Sequence, residues 1–196
     1  MNIPFRGSRN YITGVDLTEA AVELLGQSGD ADVSDISLSC YRMIRKSPVE
    51  ATISFENLSP SQFDAIVRAQ KNGQAVSVGF RAALDGNQEA RVDCFEKEQL
   101  KTIEVGNRVA SIRPPDNVDG SLLTMLVAGI KAASQASFPE RKGKWIYAGC
   151  RLASLPSVWR DASVNTTSGP EARFFNWQVE VDGKPLGSVM FFVESS

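Results

Sequence analysis

The most informative absence from this sequence is histidine, which does not occur once in 196 residues. Without an imidazole the chain cannot form a Ser-His-Asp triad, a Cys-His pair or a histidine metal site. Any chemistry must therefore use carboxylates, hydroxyls, thiols or the dipoles of the backbone.

Cysteines, excess charge and long apolar runs are also scarce. Cys40, Cys94 and Cys150 are too few and too far apart for a disulfide framework or a zinc knuckle, so we expect reduced and mostly buried thiols. A net charge of −2, with no basic stripe, argues against nucleic acid as a partner. No apolar stretch approaches a membrane span and residues 1–8 lack a signal pattern, so we expect a cytoplasmic protein without membrane contact.

The first half of the chain combines helical and strand-like periodicity. Asp16 is the predicted N-cap of a helix over 16–27, with Glu19 as its capping-box partner. Alternating apolar residues and turn signals then predict strands over 36–44 and 50–56, a short helix over 59–71, and strands over 75–84 and 89–95 joined by Asp85-Gly86.

The second half follows a similar order. We expect a strand over 103–112, a longer helix that opens at Asp119 and ends before Phe138, a strand over 144–152, and strands over 173–181 and 185–194 joined by Asp182-Gly183. Matched turns and helix starts in the same order predict an internal duplication. The predicted units are residues 1–98 and 99–196, packed as one pseudo-dimeric domain.

The second-half pattern resembles a known fold. A long helix followed by antiparallel strands that close with an Asp-Gly hairpin resembles the hot-dog fold, in which a sheet wraps a helix. The stretch Lys144-Trp145-Ile146-Tyr147-Ala148-Gly149-Cys150 and the hairpin over 174–194 resemble the last strands of fatty-acid and polyketide dehydratases and acyl-CoA thioesterases. The predicted fold is α+β, a tandem double hot dog with two antiparallel sheets, each wrapped around a central helix.

This resemblance implies an acyl chain in a tunnel between the units, with a pantetheine arm from coenzyme A or an acyl carrier protein. Coenzyme A or phosphopantetheine would be part of the substrate, and no separate cofactor is implied. In polyketide dehydratases a histidine precedes the first helix and an aspartate opens the second; Asn10 and Asp119 stand at the matching places here, and Leu123 replaces an expected polar residue. Because asparagine cannot remove the α-proton, histidine-dependent dehydration is disfavoured.

Two carboxylates are the candidate catalytic groups. Asp16 and Asp119 stand at matching helix starts, where the helix dipole favours a negative charge or a thioester oxyanion. Each could be a general base that activates water, or simply a helix cap. Asp119 is the better candidate, because Ser121 is nearby and its helix is longer.

The remaining candidates would bind substrate. Arg42 and Arg151 could bind a carboxylate or phosphate, or face solvent from their strands. Arg141, Lys142 and Lys144 could grip coenzyme A phosphates or an acidic carrier-protein helix, or form a solvated loop. Four aromatic residues could line an acyl tunnel or pack in an ordinary core, namely Trp145, Tyr147, Phe175 and Trp177.

Two hypotheses about function follow from the resemblance, and a third option keeps the α+β fold without this family. The first is an acyl-thioester-binding protein that hydrolyses its ligand with a carboxylate base. The second is a catalytically silent binding or assembly module of a fatty-acid or polyketide-type pathway, whose tunnel its own side chains fill. Cys40 and Cys150 are expected to be structural rather than nucleophilic. No metal-ligand cluster or phosphate-binding glycine loop is present in the sequence, and homo-oligomerisation is left open.

Overall fold

The computed structural model describes residues 1–6, 11–27, 32–45, 48–83, 91–92, 100–115 and 121–194. Backbone contacts divide the chain into two compact units, unit 1 (Met1–Cys94) and unit 2 (Phe95–Ser196). The elements with described bounds are β1 (Phe5–Arg6), α1 (Gly14–Gly26), β2 (Val33–Cys40), β3 (Val49–Ser54), β4 (Ala65–Lys71), β5 (Gln74–Ala82) and β6 (Arg91–Val92) in unit 1, and β7 (Ile103–Gly106), β8 (Val109–Ile112), α2 (Leu122–Ser137), β9 (Lys144–Leu152), β10 (Ala162–Asn165), β11 (Phe174–Val181) and β12 (Lys184–Glu194) in unit 2.

Helix α1 begins with a capping box between Thr13 and Asp16. The Asp16 N–H donates to Thr13 Oγ1 at 3.3 Å, and the Thr13 N–H donates to Asp16 Oδ2 at 3.1 Å. These bonds pair the N–H groups of Thr13 and Asp16, which have no partner within a helix at its start. The helix therefore begins at Gly14. The predicted helix is confirmed, but Asp16 as its N-cap with Glu19 as partner is wrong; the cap is Thr13.

The sheet of unit 1 has the strand order β3-β5-β4-β2. Strand β4 occupies most of the segment predicted as a helix over 59–71, so that prediction is wrong. Its β-branched residues Ile66 and Val67 are fully buried between neighbouring strands, which favours an extended backbone. Asn72 and Gly73, with φ of 52° and 75°, form the two-residue hairpin turn to β5 rather than a helix stop.

The predicted pairing of 75–84 with 89–95 is also wrong where it can be compared. Residues 84–90, which include Asp85-Gly86, and 93–99 lie outside the described residues. Strand β6 pairs in parallel with β1, through Phe5 and Arg91. Strand β5 cannot take another partner, because β3 and β4 already occupy its two edges.

Helix α1 packs over β2 and β4 and encloses the core of unit 1. The apolar face predicted for the helix is buried, including Leu17, Ala21 and Leu25. Cys40, expected to be buried, is exposed because β2 ends there. The next backbone N–H groups, those of Tyr41 and Arg42, donate to the Asp64 carbonyl as the chain leaves the strand.

The sheet of unit 2 has the strand order β9-β12-β11-β10-β8-β7. The single strand predicted over 103–112 is instead the hairpin of β7 and β8, which turns at Asn107-Arg108 with a φ of 60° at Arg108. Strand β9 has the predicted bounds. Strands β11 and β12 are joined at Asp182-Gly183 as predicted, again with positive φ at both residues.

Helix α2 packs against β7, β8 and β10. It begins at Leu122, where Ser121 is the N-cap and its Oγ accepts the Thr124 N–H at 3.2 Å. The helix ends at Ser137, directly before Phe138, as predicted. Asp119, predicted to open this helix, lies outside the described residues.

The two units share an order of elements but not all strand neighbours. In unit 1 the first hairpin strand, β4, lies beside β2. In unit 2 the second hairpin strand, β12, lies beside β9. Each unit therefore combines one helix with antiparallel strands, and the hairpin is placed differently among the strands of each unit. Within the described residues, neither helix has the length and apolar character needed to span a membrane.

Candidate functional site

Asp16, a predicted catalytic base, is built into the start of α1. Its side chain is 8% exposed, and its Oδ2 accepts hydrogen bonds from both the N–H and the hydroxyl of Thr13, at 3.1 and 2.5 Å. A carboxylate in the first turn also lies favourably in the helix dipole. The geometry of Asp16 thus accounts for it as a capping residue. Asn10, the residue at the position of the dehydratase histidine, lies outside the described residues.

The start of α2 has a different chemical character. Its first turn contains no acidic residue, and the described cap is the neutral hydroxyl of Ser121. Backbone N–H groups at such a helix end can hold an anion or a carbonyl oxygen that gains negative charge. Asp119 precedes Ser121 by two residues in the sequence. This end of α2 therefore combines a polarising environment with a carboxylate close by in the chain.

The aromatic side chains predicted to bind an acyl chain pack with one another in unit 2. Rings of Phe138, Trp145 and Phe175 form a mutual cluster, with centroid separations of 4.8 Å from Phe175 to each of the others and 6.1 Å between the others. Tyr147 meets Phe191 edge to face at 6.0 Å. Trp145, Phe175 and Phe191 are buried, so these rings are part of the core of the unit.

Two arginines cover this aromatic cluster near the end of α2. The guanidinium of Arg108 lies 5.4 Å from the Phe138 centroid, and that of Arg141 lies 5.7 Å from the Phe175 centroid. Arg141 also donates from Nη2 to the Ala172 carbonyl at 2.5 Å. The predicted basic group is therefore divided: Arg141 serves internal contacts, while its neighbour Lys142 is exposed.

Arg42, predicted to bind a phosphate or carboxylate, forms an ion pair within unit 1. Its Nε lies 2.9 Å from Asp64 Oδ1, although its side chain is 61% exposed. The other Asp64 oxygen accepts the Ala82 N–H at 3.0 Å, so the ion pair joins the ends of three strands. Arg151, its predicted counterpart, is exposed on β9.

Two completely buried residues of unit 2 each carry a polar atom with no hydrogen-bond partner within the described chain. These atoms are Ser134 Oγ on α2 and Trp177 Nε1 on β11, and both residues are 0% exposed. Sequence reasoning considered only the ring of Trp177 and missed Ser134, for which the sequence carries no signal. It also missed Thr13, which the pattern Thr-x-x-Asp would have identified as a cap.

Asp182 has the clearest electrostatic perturbation. Its Oδ1 accepts the N–H groups of Asp161 and Arg160 at 3.1 and 3.0 Å. These backbone donors, with help from the charges of Arg160 and Lys184, hold the pKa of Asp182 below its usual value. The effect fixes the β11–β12 turn to the chain before β10. Among residues whose side chains are described, no three acidic or cysteine side chains are grouped to hold a metal ion.

Known protein families and curated proteins give no significant sequence match to this chain. Solved structures do match. The dehydratase domain of PpsC from Mycobacterium tuberculosis, in complex with C12:1-CoA, has a TM-score of 0.52 at 11% identity, covering 94% of this chain and 85% of that one.

Two further structures match at similar levels. The tesB protein of Mycobacterium avium subsp. paratuberculosis has a TM-score of 0.52 at 12% identity, covering 97% of this chain and 91% of that one. A candidate thioesterase II of Thermobifida fusca has a TM-score of 0.50 at 11% identity, covering 96% and 88%. The chain therefore has the hot-dog fold that its sequence resembles, and identities this low establish the fold alone.

Proposed function

We propose that this protein binds an acyl thioester of coenzyme A or of an acyl carrier protein. The observation that carries the proposal is the fold, which matches over almost the whole chain both a dehydratase domain bound to an acyl-CoA and a protein named as a thioesterase II. These activities differ in the bond that reacts and share a thioester-linked acyl group. The thioester is thus the ligand chemistry common to the neighbours, while the reaction must be argued from this chain.

The tandem arrangement is part of the same proposal. Gly183 follows Gly73 by 110 residues in equivalent hairpin turns, and Cys150 follows Cys40 by the same 110 residues near the ends of β9 and β2. The N-caps Thr13 and Ser121 are 108 residues apart. Such constant spacing supports two hot-dog units that arose by duplication, and the exchanged position of the hairpin strands is then a later divergence.

For hydrolysis we propose Asp119 as the general base. Asp16 is less suited because Thr13 engages its carboxylate as a cap. In the proposed step, Asp119 takes a proton from water, the hydroxide oxygen bonds to the thioester carbon, and N–H groups at the start of α2 stabilise the resulting oxyanion. The C–S bond then breaks, the thiolate leaves with the proton from Asp119, and a carboxylic acid remains.

Thiol release from acyl-CoA, followed with a chromogenic thiol reagent, tests this assignment. Asp119→Asn should lower the hydrolysis rate by about a hundredfold, the order expected for loss of a general base. Its matched control is Asp16→Asn, which changes the other helix start in the same way and should retain the rate. Equal rates in wild type and Asp119→Asn would remove Asp119 from the mechanism.

A catalytically silent binding module is the second candidate. It is favoured by the close packing of Phe138, Trp145 and Phe175 and by the use of Asp16 as a cap. In this case the protein binds acyl-CoA, wild type releases no thiol above the buffer rate, and Asp119→Asn binds as wild type does. Calorimetry combined with the thiol assay separates the two candidates.

A further inference from the structure

We infer that unit 2 recognises an oxygen atom on the acyl chain of its ligand through Ser134 and Trp177. The preferred chain then carries a hydroxyl or keto group rather than being fully saturated. This inference rests on the proposed function and deepens it by naming the substrate class. It begins from two fully buried side chains whose polar atoms have no hydrogen-bond partner among the described residues.

Both side chains are fully enclosed. Ser134 and Trp177 are 0% exposed, and neither Ser134 Oγ nor Trp177 Nε1 has a hydrogen-bond partner within the described chain. A buried polar group without a partner destabilises the folded state, whereas alanine and phenylalanine at these positions would carry no such cost. The two groups are therefore best explained by a partner that the described residues do not supply.

The contacts of α2 show which strand residues lie beneath each part of the helix, that is, its level along the strand direction. A Cβ at Gly129 would lie 2.5 Å from Ile112 Cδ1 and 3.8 Å from Ala110 Cβ, so this part of the helix lies on β8. Ala110 pairs with Val164, and Val164 pairs with Val179. Gly129 is consequently level with the Val179 end of β11.

The C-terminal end of α2 lies beside a different part of β11. The Phe138 ring is 4.8 Å from the Phe175 ring. Between its two anchored ends the helix therefore runs from the level of Val179 to that of Phe175. Ser134 lies between these anchors on the helix, and Trp177 lies between Val179 and Phe175 on the buried face of β11. The two unpaired polar side chains are thus at the same level of the layer between helix and sheet.

The chemistry of the two groups restricts what can satisfy them. An indole N–H only donates, whereas a serine hydroxyl both donates and accepts. One oxygen atom that accepts from Trp177 and exchanges a hydrogen bond with Ser134 satisfies both. In an otherwise apolar layer, a hydroxyl or keto oxygen on a hydrocarbon chain supplies that atom while the rest of the chain is removed from water.

This arrangement predicts selectivity. A site that contains buried hydrogen-bonding groups rejects a ligand that lacks the matching atom, because its own polar groups then stay unpaired. A saturated chain would leave Ser134 and Trp177 unpaired in the complex as well. A chain with oxygen at the correct depth would pair both.

Calorimetry with the full chain tests the inference. The probes are dodecanoyl-CoA and hydroxydodecanoyl-CoAs with the hydroxyl near the thioester, at mid-chain or at the far end. We expect at least one hydroxy ligand to bind about tenfold more tightly than dodecanoyl-CoA, the effect of one good hydrogen-bonding site. Ser134→Ala and Trp177→Phe should each reduce this preference to about twofold or less without weakening dodecanoyl-CoA binding.

Matched controls separate the polar atoms from general damage. Trp159→Phe changes another buried tryptophan of unit 2, and Ser163→Ala changes a half-buried serine of β10. Both should keep the wild-type preference. The thermal midpoint of Ser134→Ala should not fall, because this variant removes no existing hydrogen bond, whereas Trp177→Phe and Trp159→Phe should each lose stability from the smaller buried ring. A fall in Ser134→Ala would overturn the inference by revealing a partner in the free protein.

The remaining outcomes distinguish the inference from the proposed function. Equal affinity of wild type for saturated and hydroxylated acyl-CoAs overturns the inference and leaves acyl-thioester binding intact. If no acyl-CoA binds, the proposed function fails for that carrier, and the free hydroxydodecanoic acids decide the inference. Tighter binding of a hydroxy acid than of dodecanoic acid, lost in Ser134→Ala, upholds it; equal or absent binding of the acids overturns it.

Discussion

Thr13 and Asp16 are joined by reciprocal hydrogen bonds across the first turn of α1. The Thr13 N–H donates to Asp16 Oδ2 and the Asp16 N–H donates to Thr13 Oγ1. The buried carboxylate of Asp16, predicted above as a catalytic base, therefore has a structural role as part of the helix cap. The better candidate for a catalytic base is therefore at the start of the second helix, α2.

Removal of this capping box should lower stability without affecting catalysis. Asp16→Ala and Thr13→Ala should each reduce the free energy of unfolding by about 1 kcal/mol. Because both variants remove the bond from the Thr13 hydroxyl to Asp16 Oδ2, the double variant should cost less than the two single effects combined. Urea denaturation measures all three, with the exposed Glu23→Ala in the same helix as the control; fully additive losses would argue against the box.

Asp182 should make stability depend on acidic pH. Its folded-state pKa lies below its usual value because the N–H groups of Asp161 and Arg160 bond the carboxylate. The resulting stabilisation is fully present above the usual aspartate pKa and is lost as pH falls through the lower folded value. Asp182→Asn should therefore flatten the loss of stability as the pH falls below about 4. Urea denaturation at a series of pH values measures both proteins, and an equal slope in wild type and Asp182→Asn would contradict this role of the carboxylate.

Alanine substitutions at Gly187 and Gly183 should differ in their cost to stability, because only the first adds a steric clash to the strain of a positive φ. At Gly187, with φ of 143°, an added Cβ would collide with the Arg151 carbonyl oxygen. At Gly183, with φ of 73°, a Cβ would meet no atom within 4 Å. We expect Gly183→Ala to cost about 1 kcal/mol from its left-handed backbone, and Gly187→Ala about 3 kcal/mol or more. Equal losses in chemical denaturation would contradict the close pairing of β12 with β9.

Arg141 and Lys142 should separate stability from ligand binding. Arg141 donates to the Ala172 carbonyl and covers the Phe175 ring, so Arg141→Ala should lower the free energy of unfolding by about 1–2 kcal/mol. Lys142 is exposed, and Lys142→Ala should leave stability within about 0.5 kcal/mol of wild type. If Lys142 meets a coenzyme A phosphate, its variant should weaken acyl-CoA affinity about two- to fivefold, and less so at high salt.

Local patterns in the sequence predicted much of unit 2. The bounds of β9 and the Asp182-Gly183 hairpin are as expected because turn chemistry and alternating side chains determine them locally. The error at β4 has a physical cause. Ile66 and Val67 are buried in a strand with partners on both edges, and a short apolar run of this kind fits a helix or a strand equally well. Only the Asn72-Gly73 turn could have decided between them.

The candidate site was less predictable because it depends on contacts between distant segments. Arg141 reads as a solvent-facing cation, but Ala172 and Phe175, some thirty residues later, bind it internally. Among the described residues, the polar atoms of Ser134 and Trp177 are unpaired because α2 packs on the sheet, and no local pattern encodes that packing. Thr13 is the exception, since its capping box is a short-range sequence pattern.

The most direct test of the account is the thermal midpoint of the protein with excess coenzyme A and with short-, medium- and long-chain acyl-CoAs. A ligand that binds only the folded state at a hundred times its Kd adds about 2.7 kcal/mol, which raises the midpoint by several degrees. The account predicts a rise that grows with chain length and is small for coenzyme A alone. No shift with any acyl-CoA, and none with an acyl carrier protein bearing the same chains, would contradict acyl-thioester binding.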